Sequence, residues 1–354
     1  MTTATAPALA THQVGLRLGW LVAGVGVVVV AIIVGLTVGP VGISAGGVVT
    51  ELLSHLPLLG VHSTLSHQDA LIVTELRLPR VVLALLVGSM LSIAGAAFQG
   101  VFRNPLADPY LLGAGAGAGL AVTIVIVTSA AAPGGGDQLV PLAGFAGALG
   151  AVTLTYLVGR RAGGVSIITL VLAGVAITSF LSAAQAYVLQ QNSDNIREVY
   201  SWILGRLTVA RWSDITLVLP YMVVATGVLL VYRRVLDVLA VGETEASTLG
   251  IPVARTRLII VAAAALATAA AVAVAGLIGF VGIIVPHVVR LIVGPNYRVI
   301  LPLSILFGGA FMVFADLVGR TIIAPAELPI GVVTAFVGAP FFLLVLRRAV
   351  QGRV

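Results

Sequence analysis

The sequence has no cysteine and no lysine, and little charge of either sign: 19 basic residues, every one an arginine, and 13 acidic ones among 354. The missing cysteine excludes a secreted disulfide scaffold. The missing lysine excludes a phosphate-binding loop of the G-x-x-x-x-G-K-[ST] type and Schiff-base catalysis, so any nucleotide hydrolysis that drives this chain belongs to another polypeptide. The arginines stand in ones and twos between apolar runs, without the clustered basic face that nucleic acid requires. Charged residues, at 9%, are too few for a disordered chain or an ordinary soluble domain.

What is present is apolar: 59% of residues are hydrophobic and the mean hydropathy is +1.15. A membrane-crossing helix takes about 20 residues, so about ten would occupy roughly 200 positions and leave only short loops. Apolar runs lie near 18–38, 81–101, 110–132, 139–158, 165–189, 215–232, 258–285, 299–315 and 328–346. Gly276-Leu277-Ile278-Gly279 divides the 258–293 region into a full helix and a shorter one. The predicted fold class is therefore an all-α polytopic membrane protein of about ten helices. Residues 1–16 are expected to form a cytoplasmic tail, 17–349 a single transmembrane domain, and 350–354 a second cytoplasmic tail. Only Arg77, Arg80, Arg197, Arg206, Arg211 and Arg320 then fall on the outer side. The remaining arginines lie inside, the bias expected when both termini are cytoplasmic.

Glycine, at 41 residues, is spread through the apolar runs. Gly113, Gly115, Gly117 and Gly119 supply pairs four apart, which let helices approach closely, and that context excludes a dinucleotide fingerprint. The connecting segments carry more specific signals. Glu75-Leu76-Arg77-Leu78-Pro79-Arg80 precedes the second run, and Gln99 to Pro109 follows it with two prolines and an Asn-Pro step that force a defined turn. Later come Gly279 to Arg290 with its Pro286-His287 step, Ala315-Asp316-Leu317-Val318-Gly319-Arg320, and Glu327-Leu328-Pro329-Ile330-Gly331.

These motifs, in this order from about residue 20 to 349, closely resemble the FecCD family, the permease subunits of importers for ferric siderophores, haem and cobalamin. The resemblance implies a permease in a bacterial cytoplasmic membrane, paired with a second copy as a homodimer. Two ATPase subunits dock inside and a substrate-binding protein sits outside. This chain itself is then no enzyme and binds no cofactor, with ATP and Mg held by the ATPase.

The resemblance also assigns sites. Arg77, Arg80 and Arg320 match arginines that meet carboxylates of the binding protein, a task suited to the planar guanidinium fork. From the residues alone, Arg77 and Arg80 serve equally as anchors of a helix end, and Arg320 as a partner of Asp316 one turn earlier. The segment after Arg233-Arg234, with Gly242, Glu243, Glu245, Ala246, Leu249 and Gly250, is expected to be an amphipathic coupling helix closed by glycine and proline, its acids meeting basic groups of the ATPase. The cytoplasmic gate falls at Ser166, Ile167, Ile168 and Thr169; the two isoleucines depart from the small hydroxylated residues of the family pattern, so the gate closes by apolar contact or the residues simply pack. Gln185, Tyr187 and Gln190 are candidates to line the pathway or to join helices. His287 is expected to cap backbone carbonyls rather than hold a metal.

Two other classes are weaker. An intramembrane hydrolase would need a serine elbow or H-E-x-x-H, neither of which occurs. An ion-coupled secondary transporter would need charged residues on broken helices at the midplane.

Overall fold

The computed structural model describes residues 18–56, 60–129, 136–161 and 167–350. Ser166 of the predicted gate, Arg17, the expected N-terminal tail and residues 351–354 of the expected C-terminal tail lie outside the described residues. Among the described residues every regular element is helical.

In chain order, α1 (Leu18–Thr37) is followed by the short α2 (Ala45–Ser54), whose first turn is capped by the Ser44 hydroxyl accepting from Gly47 N–H at 3.1 Å. α3 (His67–Leu71) runs through a π turn, Ile72–Arg77, directly into α4 (Leu78–Val101). Pro79 has no N–H to donate and its ring would press on the carbonyl one turn back; the wider turn, in which Leu78 N–H reaches Val73 C=O, accommodates it. The bundle continues with α5 (Ala114–Ser129), α6 (Gly136–Arg161), α7 (Ile167–Gln191), α8 (Ile196–Ile203) and α9 (Trp212–Val231). Then follow α10 (Arg233–Val241), α11 (Glu243–Thr248), α12 (Val253–Ala275), α13 (Val281–Val293), α14 (Tyr297–Thr321) and α15 (Ile330–Val350).

Among the described residues seven helices, counting α3 to α4 as one, are long and apolar enough to cross a membrane. The shorter apolar helices α5, α13 and α15 occupy the other predicted runs. The chain is an integral membrane protein of all-helical architecture.

α4 is the axle. It is buried along most of its length and packs against α9, α12, α13 and α14, whereas α1, α7 and α9 are largely exposed on their apolar faces. Lipid is as apolar as leucine, so such helices associate through close packing rather than through the hydrophobic effect. Glycine permits that closeness. A Cβ on Gly117 of α5 would stand 2.2 Å from the Gly147 carbonyl of α6, and one on Gly95 of α4 would stand 1.9 Å from the Gly282 carbonyl of α13.

The break between α12 and α13 lies where the glycines predicted it, from Gly276 to Phe280. Backbone groups freed at such a break must be satisfied inside the protein. The Tyr110 hydroxyl accepts from Ile278 N–H and donates to Ile278 C=O, both at 3.2 Å, and Arg206 N–H reaches Ala275 C=O at 2.9 Å.

Candidate functional site

Two clusters of charge interrupt the apolar bundle, one at each end of α14. The first gathers Arg77 and Arg80 at the start of α4, Asp316 and Arg320 near the end of α14, and Glu327 in the segment before α15. Arg80 lies at the centre. Its Nε and Nη2 donate to Asp316 at 2.9–3.0 Å, and its Nη1 and Nη2 donate to Glu327 at 3.0 and 2.9 Å. Thr208 donates to the same Glu327 carboxylate at 3.0 Å. Burial alone would raise the Glu327 carboxyl, but the Arg80 hydrogen bonds and charge outweigh it and hold the group below its ordinary value. Beside these groups opens a cleft of about 150 Å³, lined also by Ser201 and Arg206.

The sequence placed Arg77, Arg80 and Arg320 together, and the structure does so. Two of the three are buried within this chain. Arg77 is 6% exposed and Arg320 is 3% exposed. Arg77 donates to the carbonyls of Leu36 and Thr37 at 2.7 and 2.9 Å and to that of Val41. Arg320 donates to the Gly35 carbonyl at 2.5 Å and stands 3.7 Å from Asp316. The last carbonyls of a helix have no intrahelical donors, and both guanidinium groups supply them to α1.

The second cluster surrounds the α10–α11 elbow. The short helix expected from Gly242 onward is α11, and the residues that lead into it form a separate helix, α10, divided from it by Gly242 in an extended conformation. Ala246 is buried, while Glu245, Leu249 and Gly250 are exposed, Leu249 at 70%. Glu243 does not stand free: it pairs with Arg257 of α12, whose side chain is buried. On α10, Asp237 Oδ1 accepts from Tyr297 N–H, the first residue of α14, at 2.5 Å, and Oδ2 lies 3.3 Å from Arg298 Nε. Burial pushes the Asp237 carboxyl above its ordinary value, against the Tyr297 hydrogen bond and the Arg298 charge. Tyr297 in turn accepts at its hydroxyl from Arg290 of α13 at 3.0 Å and packs its ring on Gly100 of α4.

The sequence model of the FecCD transport family matches residues 27–348. The chain belongs to this family. Within it, the chain is 43% identical over 276 residues to the cobalamin import system permease protein BtuC of Halobacterium salinarum, covering 78% of this chain and 73% of that one. It is 36% identical over 282 residues to the Fe(3+) dicitrate transport system permease protein FecD of Escherichia coli, covering 80% and 87%. A solved structure described as the inward-facing conformation of a metal-chelate type ABC transporter superposes with a TM-score of 0.82 at 25% identity, over 94% of this chain and all of that one. These FecCD relatives are transport permeases, not enzymes.

The remaining predicted residues lie on α7. Ile168 is 71% exposed and Ile167 and Thr169 are half-buried. Gln185 joins helices: it donates to the Thr123 hydroxyl of α5 at 3.0 Å and lies against Gly119. Tyr187 and Gln190 are exposed. His287 is buried, packs edge-on against Phe341 at 5.8 Å and has no partner for Nδ1 among the described residues, so the carbonyl cap expected of it is not made through that nitrogen. Asp237 and Tyr297 escaped the sequence because their contact joins residues 60 apart, and Arg257 because no short motif marks its pair with Glu243.

Proposed function

We propose that this chain is the permease subunit of an ATP-driven importer that carries a metal chelate across a bacterial cytoplasmic membrane. The family match across residues 27–348 carries this reading. Ten spans with both termini cytoplasmic agree with the helix order and with the arginine bias. A second copy is the partner in the membrane; the exposed apolar side chains of Leu172, Val175 and Phe180 on α7 and Phe336 on α15 are available to it and to lipid. The cargo is a metal chelate, which brings its own ligands: a ferric siderophore first, with haem and cobalamin as the alternatives. Among the described residues no three His, Asp or Glu side chains converge to hold a bare ion.

The segment from Gly242 to Gly250, with α11 at its centre, is the seat of the ATPase, and exposed Leu249 and Glu245 are its contact. ATP and Mg sit on that ATPase. Outside, the binding protein docks over Arg80 and the cleft beside it, with Arg77 and Arg320 holding the ground beneath. Ser166, Ile167, Ile168 and Thr169 form an apolar inner gate, and Tyr187 and Gln190 border the path.

The test is reconstitution. The isolated chain should hydrolyse no ATP and move no cargo, and addition of the cognate ATPase and loaded binding protein should produce uptake. Titrating that binding protein with ferric siderophores, haem and cobalamin identifies the cargo. Uptake by the chain alone, driven by an ion gradient, would replace this reading with a secondary transporter.

A further inference from the structure

α14 is one continuous helix of 25 residues from Tyr297 to Thr321. At a rise of about 1.5 Å per residue it spans roughly 37 Å, more than the ~30 Å depth of the hydrocarbon layer. Its first residue is held by Asp237 of the elbow, and its last two turns hold Asp316 and Arg320 of the outer cluster. The same rod therefore touches both charged sites. Its N-terminal tie is specific. Tyr297 N–H is one of the donors a helix leaves unpaired at its start, and the acceptor is a carboxylate from another helix rather than the usual cap residue. Asn296, the cap residue itself, serves Arg298 N–H at 2.9 Å. The Asp237 carboxylate meets the positive end of the α14 dipole and the Arg298 guanidinium together, which makes it a charge-assisted contact.

We propose that Asp237 is the positioning residue through which the α10–α11 elbow drives α14 as a rod, so that ATPase motion inside is delivered to the Arg80–Asp316–Glu327 cluster outside. The inference rests on the permease reading above. The Glu243–Arg257 pair gives the elbow a second hold, on α12, and α12 and α14 both pack on α4. With both holds the elbow moves the two neighbours of the axle together. Without the Asp237 hold α12 follows and α14 lags.

The experiment uses the full complex in liposomes: this chain, its ATPase and its loaded binding protein. Asp237→Ala should assemble and keep basal ATP hydrolysis. Stimulation of hydrolysis by the binding protein should fade, and cargo moved per ATP should fall on the order of tenfold, the weight of one charge-assisted hydrogen bond. Asp237→Asn, which retains an acceptor for Tyr297 N–H, should fall between. A merely structural role would lower hydrolysis and transport in proportion, and that result, like a wild-type ratio, overturns the proposal. If the alanine variant does not fold, Asn decides alone: a reduced ratio supports the tie and a wild-type ratio ends it. Leu249→Asp is the control for the underlying reading. It should abolish ATPase association, and normal assembly of that variant would remove the elbow as the docking site independently of Asp237.

Discussion

Arg80 is the most consequential single side chain to delete. Asp316 is 4% exposed at its side chain, and Arg80→Ala would leave it facing only the Arg320 Nε at 3.7 Å. Five short hydrogen bonds to two carboxylates disappear at once. Removing one partner of a buried ion pair costs about 3–5 kcal/mol, because the surviving charge stays buried. The Glu327 arm adds little, about 0–1 kcal/mol, because that side chain is 29% exposed. The purified protein in detergent should therefore lose about 5 °C or more in its unfolding midpoint. Arg80→Lys should retain part of the loss-free state, since it keeps the charge but not the fork that serves two acids. Arg206→Ala, which lines the same cleft and has no side-chain partner among the described residues, should shift stability by less than about 0.5 kcal/mol. The decisive measurement is the double-mutant cycle with Asp316→Asn. Removing both charges should cost less than the sum of the single changes, by about 1 kcal/mol or more. Strict additivity, or an Arg80→Ala protein as stable as its parent, would refute a buried ionic junction and return Arg80 to a purely external role.

Three further outcomes follow from the same packing. Gly95→Ala forces a Cβ to within 1.9 Å of a backbone carbonyl and should cost about 1–3 kcal/mol or abolish folding; Gly26→Ala, with open space around it, should be tolerated, as yield and thermal unfolding will show. Tyr110→Phe strands the Ile278 N–H and C=O, at a cost of about 1–3 kcal/mol, and should speed hydrogen exchange at the Ile278 amide. Because the folded state holds the Glu327 carboxyl below its ordinary value, its contribution is present above the unfolded value, near 4.3, and is lost as pH falls through the lower folded value; thermal unfolding should be flat from about pH 5 to 8 with respect to this group, and Glu327→Gln should remove its share of the acid loss.

How far the chain declared itself depended on sequence distance. The α12–α13 break was legible because glycine stands at both ends of Gly276 to Gly279, and close packing of α5 because glycines recur four apart, though not its partner α6. Ser66-His67-Gln68-Asp69 carries a capping signal for the true start of the α3–α4 helix, with the Ser66 hydroxyl accepting from Asp69 N–H at 3.1 Å, though the apolar run begins later. The π turn was hidden, since one proline permits it without dictating it. The partners of Arg80 were hidden for a different reason. Asp316 and Glu327 lie 236 and 247 residues away, and nothing local distinguishes an arginine that will be buried from one that will face a partner.

The burial of α4 has a consequence for how the protein is made. This helix is completed early, yet Ser89 finds its acceptor in Ile305 C=O, 216 residues later, and Gln99 donates to the Gly282 carbonyl, 183 residues later. At about 5–20 residues per second the ribosome needs on the order of 10–40 s to supply α14 after α4. During that interval the axle has left the ribosome without the helices that enclose it, and its serines and glutamine face either lipid or the insertion machinery. Biogenesis must therefore hold the N-terminal half open until the C-terminal half arrives, and a chain truncated before α13 should be a substrate for quality-control proteolysis rather than a stable half-protein.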